Sequence, residues 1–145
     1  MSLPKPVPGL VISYSYLWSD EQNEGLEEGR KNRPCAIVAA RRVVEGCEVV
    51  TVVPITHSPP ADPNDAIEMP AALKAHLGLD HLTSWVMVSE TNDFLWPGPD
   101  LKPIPGSNPS RFHYGMLPQR FYAHLRDRIL QAYARRRLHQ VQRTE

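Results

Sequence analysis

Three polar residues stand where apolar runs of the sequence begin or end. Arg33 heads "RPCAIVAA", Thr56 closes "VTVVPIT", and Glu90 follows "WVMVS". These are residue types that suit phosphodiester cleavage without a metal: an arginine fork grips phosphate through two donors, a hydroxyl adds a third, and a carboxylate gives or takes a proton. Residues of similar chemistry flank them: Glu28 and Lys31 ahead of Arg33, His57 beside Thr56, and Asn92 just beyond Glu90. Taken singly, each has an ordinary explanation, since arginines form surface ion pairs and threonines end strands in turns. The set becomes a site only if the strand ends that carry it converge.

The elements that must bring them together can be read from hydrophobic period. "GLVISYSYLWS" alternates Leu10, Ile12, Tyr14, Tyr16 and Trp18 on one face with Val11, Ser13, Ser15 and Leu17 on the other, which predicts a half-buried strand. "RPCAIVAARRV" and "CEVVTVVPI", joined through "VEG", predict a buried antiparallel hairpin. A two-residue turn at Glu45 and Gly46 would set Cys35 opposite Thr56, and Cys35 and Cys47 would then stay apart.

After a proline-rich loop in which "AIEM" can add a short strand, "PAALKAHLG" predicts about two turns of helix, entered at Pro70 and stopped by Gly78. "TSWVMVSE" reads as a further strand, and "LWPGPDLKPIPGSNPS" as an ordered surface loop held by Leu95, Trp96, Leu101 and Ile104. From Pro118, the spacing of Phe121, Leu125, Ile129 and Tyr133 predicts an amphipathic helix. Beyond Arg137 the apolar stripe stops, so residues 138–145 are expected to fray. Strands first, a long helix last and no βαβ rhythm predict a mainly β (α+β) chain: a small, strongly curved antiparallel sheet or barrel with a C-terminal α-helix.

The 145 residues suit a single domain spanning 1–145. Sixteen Lys and Arg balance sixteen Asp and Glu, so bulk charge does not announce a nucleic-acid binder. The distribution is uneven, because residues 118–145 hold seven arginines against Asp127 and Glu145. No apolar run approaches the roughly 18 residues of a membrane span, and no leader-like start is seen, which predicts a cytoplasmic chain without membrane contact. The two cysteines form no Cys-x-x-Cys pair and the histidines no regular spacing, so neither a metal nor another cofactor is expected.

The order "VISYSYLW…EEGRKNRPCAIVAA…VTVVPIT…AIEMP…WVMVSET…YGMLPQRFYAHLRDRIL" resembles the MazF/PemK family of toxins from prokaryotic toxin–antitoxin modules, over most of the chain. The most specific pieces are Glu28, Arg33 and Pro34 at the head of the second strand, Pro54, Ile55 and Thr56 at the end of the third, and the acid Glu90. The resemblance implies an SH3-like barrel with a C-terminal helix, a homodimer, and an endoribonuclease that cuts single-stranded mRNA without a metal. It further implies Arg33 as phosphate binder or acid, Thr56 as its hydrogen-bonding partner, Glu28 as a pocket-shaping carboxylate and Glu90 at the family's aspartate. Products would be a 2′,3′-cyclic phosphate and a 5′-hydroxyl end, and a cognate antitoxin would occupy the same groove.

The chain departs from the family at Val88, where some members carry arginine, and at Glu90-Thr91, where Asp-Gln is usual. His57 has no counterpart in the motif and stands where it could supply a lost group. Two other functions compete: a catalytically degenerate barrel that binds nucleic acid or protein, and a poison of a protein target such as DNA gyrase.

Overall fold

Valine- and isoleucine-rich runs pair into one sheet in a computed structural model that describes residues 3–19, 32–42 and 46–143. Glu28 and Lys31 lie outside the described residues. The strands are β1 (Leu10–Tyr14), β2 (Arg33–Arg42), β3 (Glu48–Thr56), β4 (Ala66–Glu68), β5 (Trp85–Met87), β6 (Glu90–Leu95), β7 (His113–Met116) and β8 (His139–Gln142). Among the described residues two α-helices accompany them, α1 (Ala71–Leu77) and α2 (Gln119–Ala134). The main path runs β4-β5-β3-β2-β1-β7, while β6 pairs with the first half of β3 and carries β8 on its other side. The chain is thus mainly β with a C-terminal helix, as expected, and among the described residues the sheet stays open along β4, β7 and β8.

Alternation along the central strands sorts the core into two halves. Val11, Ala36 and Val53 face Leu73, Leu77, Leu125 and Ile129 of the helices. Their neighbours Ile12, Cys35 and Val52 face Tyr14, Phe94 and Leu101 on the opposite side. β1 is therefore buried on both faces, Ser13 included, as is Ser15 just beyond it, and not half-buried as its alternation suggested. The reason is tertiary: α1 and α2 cover one face, and the proline-rich segment covers the other through Leu101, which bridges to Tyr14.

The β2–β3 ladder also corrects the expected register. Arg42 faces Glu48 near the connection, and Cys35 faces Pro54, not Thr56. One residue of this shift comes from the connection and one from a bulge between Ile37 and Ala39. Cys35 is buried, Cys47 is exposed, and both are free thiols.

Gly78 ends α1 in the left-handed conformation, at φ 70°, with its N–H on the carbonyls of Ala75 and Lys74, as its place in the sequence predicted. In α2 the stripe is Leu125, Ile129 and Ala132, while Tyr133 is exposed. A strict four-residue repeat drifts about 40° per step around a helix of 3.6 residues per turn, so the fourth member of the stripe leaves the core. No helix among the described residues is long and apolar enough to cross a membrane.

The expected fraying of the C-terminus is corrected as well. Residues 139–142 form β8, parallel to β6, with Val141 and Arg143 buried. Without an apolar stripe of helical period the segment looked unanchored, but one valine and one arginine hold it through contacts far away in sequence. Of the seven arginines, three are engaged by other described residues. Arg143 pairs with Asp100, Arg137 with Asp62 and Asp65, and Arg128 donates to the carbonyls of Pro63, Asn64 and Ala66.

Candidate functional site

Arg33 opens β2 and Thr56 closes β3, and the register Cys35 to Pro54, carried two residues further, sets the two opposite each other. Both line a cleft of about 300 Å³, together with His57, Asp80, Ser84, Ile104 and Tyr114. Two of the three strand ends singled out by sequence therefore converge.

Arg33 is half-buried and its guanidinium carbon lies 5.0 Å from the centroid of the Trp18 ring. Stacking of this kind holds the fork in one plane while leaving its N–H groups directed outward along the edge. Its Nε is buried and has no hydrogen-bond partner among the described residues. A buried donor without a partner costs free energy, which an anion in the cleft would offset.

Thr56 is buried, and its Oγ1 accepts the backbone N–H of Ser58 at 3.1 Å. Because that bond uses a lone pair, the hydroxyl proton is left to be donated. His57 meets Asp80 closely, with Nε2 3.1 Å from Oδ1 and 2.9 Å from Oδ2. Asp80 also accepts the N–H of Leu82 at 3.0 Å and lies 3.9 Å from Lys74 Nζ, so its carboxylate is fixed from two further sides. With Nε2–H donated to Asp80, the neutral ring carries its free lone pair on Nδ1, the atom left to exchange a proton. Burial raises the pKa of the Tyr114 phenol above its ordinary value, so at neutral pH it is a hydrogen-bond donor.

Glu90 does not line the cleft. Its Oε1 accepts the Tyr16 hydroxyl at 3.2 Å and the Ser19 N–H at 3.1 Å. Tyr16 in turn meets Trp18 edge-on, with ring centroids 5.2 Å apart, so the Tyr16 and Trp18 rings stand between Glu90 and Arg33. Asn92, a candidate for a supporting or RNA-binding role, does not line the cleft: it is fully buried in β6. Its Nδ2 donates to the Leu17 carbonyl at 2.8 Å, and its Oδ1 accepts the Leu17 N–H at 2.9 Å and Arg143 Nη1 at 3.1 Å. Sequence reasoning missed Asp80 and Tyr114. Neither carries a local signal, because each comes from an element whose position depends on the whole sheet.

The buried phenols make alkaline stability a test of this packing. Burial, followed by the charge of Glu90, raises the Tyr16 pKa well above 10.0, and burial raises that of Tyr114. Above pH 10.0 the folded chain therefore keeps protons that the unfolded chain has released, and stability must fall as pH rises through that range. Urea midpoints followed from neutral pH upward are expected to drop above pH 10.0, with Tyr16→Phe flattening the slope. Tyrosinate absorbance rising at the unperturbed pKa for every tyrosine of the native chain would contradict the assignment.

Among the described residues no group of three or more His, Cys, Asp or Glu side chains could hold a metal ion. Compared with protein-family models, with curated proteins and with solved structures, the chain matches none, so its reading rests on the residues of the cleft.

Proposed function

We propose that the Arg33 cleft binds a phosphodiester of single-stranded RNA and cleaves it by attack of the neighbouring 2′-hydroxyl. The chain would then act as an endoribonuclease toxin of a toxin–antitoxin module, with a cognate antitoxin and a second copy of itself as partners. The observation that carries this reading is the buried, unpartnered Nε of Arg33 in a cleft that also holds the Thr56 hydroxyl and the His57–Asp80 pair.

Arg33 and Thr56 hold the non-bridging oxygens of the phosphate. His57 Nδ1 takes the proton of the 2′-hydroxyl, and that oxygen forms a bond to phosphorus as the bond from phosphorus to the 5′-oxygen breaks. The leaving 5′-oxygen takes a proton from the Tyr114 phenol, since an alkoxide is a stronger base than a phenolate even when burial has raised the phenol's pKa. The products are a 2′,3′-cyclic phosphate and a 5′-hydroxyl end. Asp80 orients the imidazole and stabilises its charge once it has been protonated, and Lys74 holds Asp80 in place. Val88 is wholly buried in the core facing the helices, so no cation is offered from that position, and among the described lining residues the arginine is Arg33.

A second reading, RNA binding without cleavage, is favoured by one observation, the position of Glu90 outside the cleft. The two separate in one experiment: full-length chain, a single-stranded RNA and EDTA. Cleavage to cyclic-phosphate ends is expected, and His57→Ala should slow it by about 10²–10⁴-fold, the usual contribution of a general base. Asp80→Asn should slow it less and alter the pH–rate profile. RNA bound but intact at high protein concentration would select the binding module, and RNA neither bound nor cut would end both readings.

A further inference from the structure

A second concavity, of about 330 Å³, lies between α2 and the sheet, and it shares no lining residue with the Arg33 cleft. Its walls are apolar, from Val38 of β2 and Leu130 and Tyr133 of α2, and the latter two remain exposed. An apolar wall alone does not identify an occupant, but three polar residues in the same groove do.

Thr91 is the first. Its neighbour Asn92 turns toward Leu17 and Arg143, so strand alternation sends Thr91 and Asp93 to the opposite face, toward α2. Thr91 is only 2% exposed and its Oγ1 has no hydrogen-bond partner among the described residues. A buried hydroxyl in that condition is destabilising unless something in the groove completes it. Asp93, the second, is already satisfied: Oδ1 accepts Thr51 Oγ1 at 2.7 Å and Oδ2 accepts Gln142 Nε2 at 2.8 Å. Arg126, the third, lies on the same groove, is exposed, and has no ion-pair partner among the described residues. The carboxylate of the groove is thus occupied while its cation and its buried hydroxyl are not.

We propose that this groove binds a small apolar carboxylate, with its aromatic or branched body against Val38, Leu130 and Tyr133. Its acid group accepts from the Thr91 hydroxyl and from the Arg126 guanidinium. The volume suits such a molecule, standing at the lower end of small-ligand pockets, which run from about 300 to 1,000 Å³. An uncharged ligand would leave Arg126 unused, and an ammonium ligand would meet that cation and a carboxylate whose two oxygens already accept from Thr51 and Gln142.

The test is a ¹H–¹⁵N shift titration of the full chain with phenylacetate, indole-3-acetate and 4-methylpentanoate, alongside phenylacetamide and phenethylamine. Saturable shifts at the amides of Val38, Thr91 and Leu130 are expected for at least one carboxylate, with phenylacetamide and phenethylamine weaker by roughly tenfold or more, the worth of a charge-assisted hydrogen bond. Arg126→Gln should weaken the carboxylate by roughly tenfold. Thr91→Val should weaken it several-fold and, without ligand, raise the thermal midpoint by roughly 2–4 °C because an orphaned hydroxyl has been removed. Absence of saturable shifts, equal affinity for phenylacetamide, or affinity unchanged by both substitutions would each overturn the proposal. The well-dispersed spectrum of each variant reports that it is folded, and RNA cleavage is not part of the readout.

Discussion

Arg33→Ala is expected to reduce RNA cleavage by about 10²–10³-fold, the usual cost of removing one donor from a developing transition-state charge. The fold should survive it. Arg33 is half-buried, makes no ion pair among the described residues, and its main contact is the face of Trp18, so the loss in stability should be about 0.5–1 kcal/mol. Arg33→Lys separates charge from geometry: it restores a cation but not the planar fork that grips two phosphate oxygens, so it should recover only part of the rate. Cleavage assays on single-stranded RNA, read beside urea unfolding of the same variants, check both expectations. Full activity in Arg33→Ala would remove the cleft from the mechanism, because no other arginine among the described residues lines it.

The second large effect concerns stability and the end of the chain. Arg143 has a side chain only 1% exposed, and its Nη2 lies 2.8 Å from Oδ2 of Asp100, itself 5% exposed. Its Nη1 donates to the Ser15 carbonyl at 2.7 Å, to Asn92 Oδ1 at 3.1 Å and to the Tyr14 hydroxyl at 3.3 Å. One guanidinium thereby ties β8 to the residues that follow β1, to β6 and to the proline-rich segment. Arg143→Ala leaves the Asp100 carboxylate buried without this partner, which should cost about 3–5 kcal/mol in urea unfolding. Replacing both members together, as Arg143→Met with Asp100→Leu, should cost less than Arg143→Ala alone, since no uncompensated charge remains. A loss near zero for Arg143→Ala would mean that the tail is not anchored as the structure has it.

The same residue shows why charge counting along the sequence misleads. The C-terminal segment counts as a local excess of positive charge, yet Arg143 is internal and Arg137 and Arg128 are engaged by the loop around Asp62 and Asp65. A count of formal charges carries no information on which of them face a carboxylate after folding, because the partners of Arg143 stand 43 residues away at Asp100 and up to 129 away at Tyr14.

Elements whose signal is local were legible. β1, the β2–β3 hairpin, α1 with its glycine stop and α2 all declare themselves through period, capping or turn residues within about ten positions. β6, β7 and β8 did not. "ETNDFL", "HYGM" and "HQVQ" are short and polar, and they become strands only because β3, β1 and β6 leave an open edge for them. As one strand, "TSWVMVSE" would end at Glu90 and leave Asn92 beyond it, whereas the fold breaks the run after Met87 and places both residues in β6.

For the candidate site the division is similar. By itself the sequence determined that Arg33 and Thr56 end adjacent strands, because the hairpin that joins them is written in two apolar runs separated by a turn. Only the tertiary structure decided what stands beside them. It brings Asp80 to His57 across 23 residues, places Tyr114 on the cleft wall and withdraws Glu90 behind Tyr16. Strand pairing is encoded locally by side-chain period, whereas the position of a loop residue against a strand end depends on how every intervening element packs.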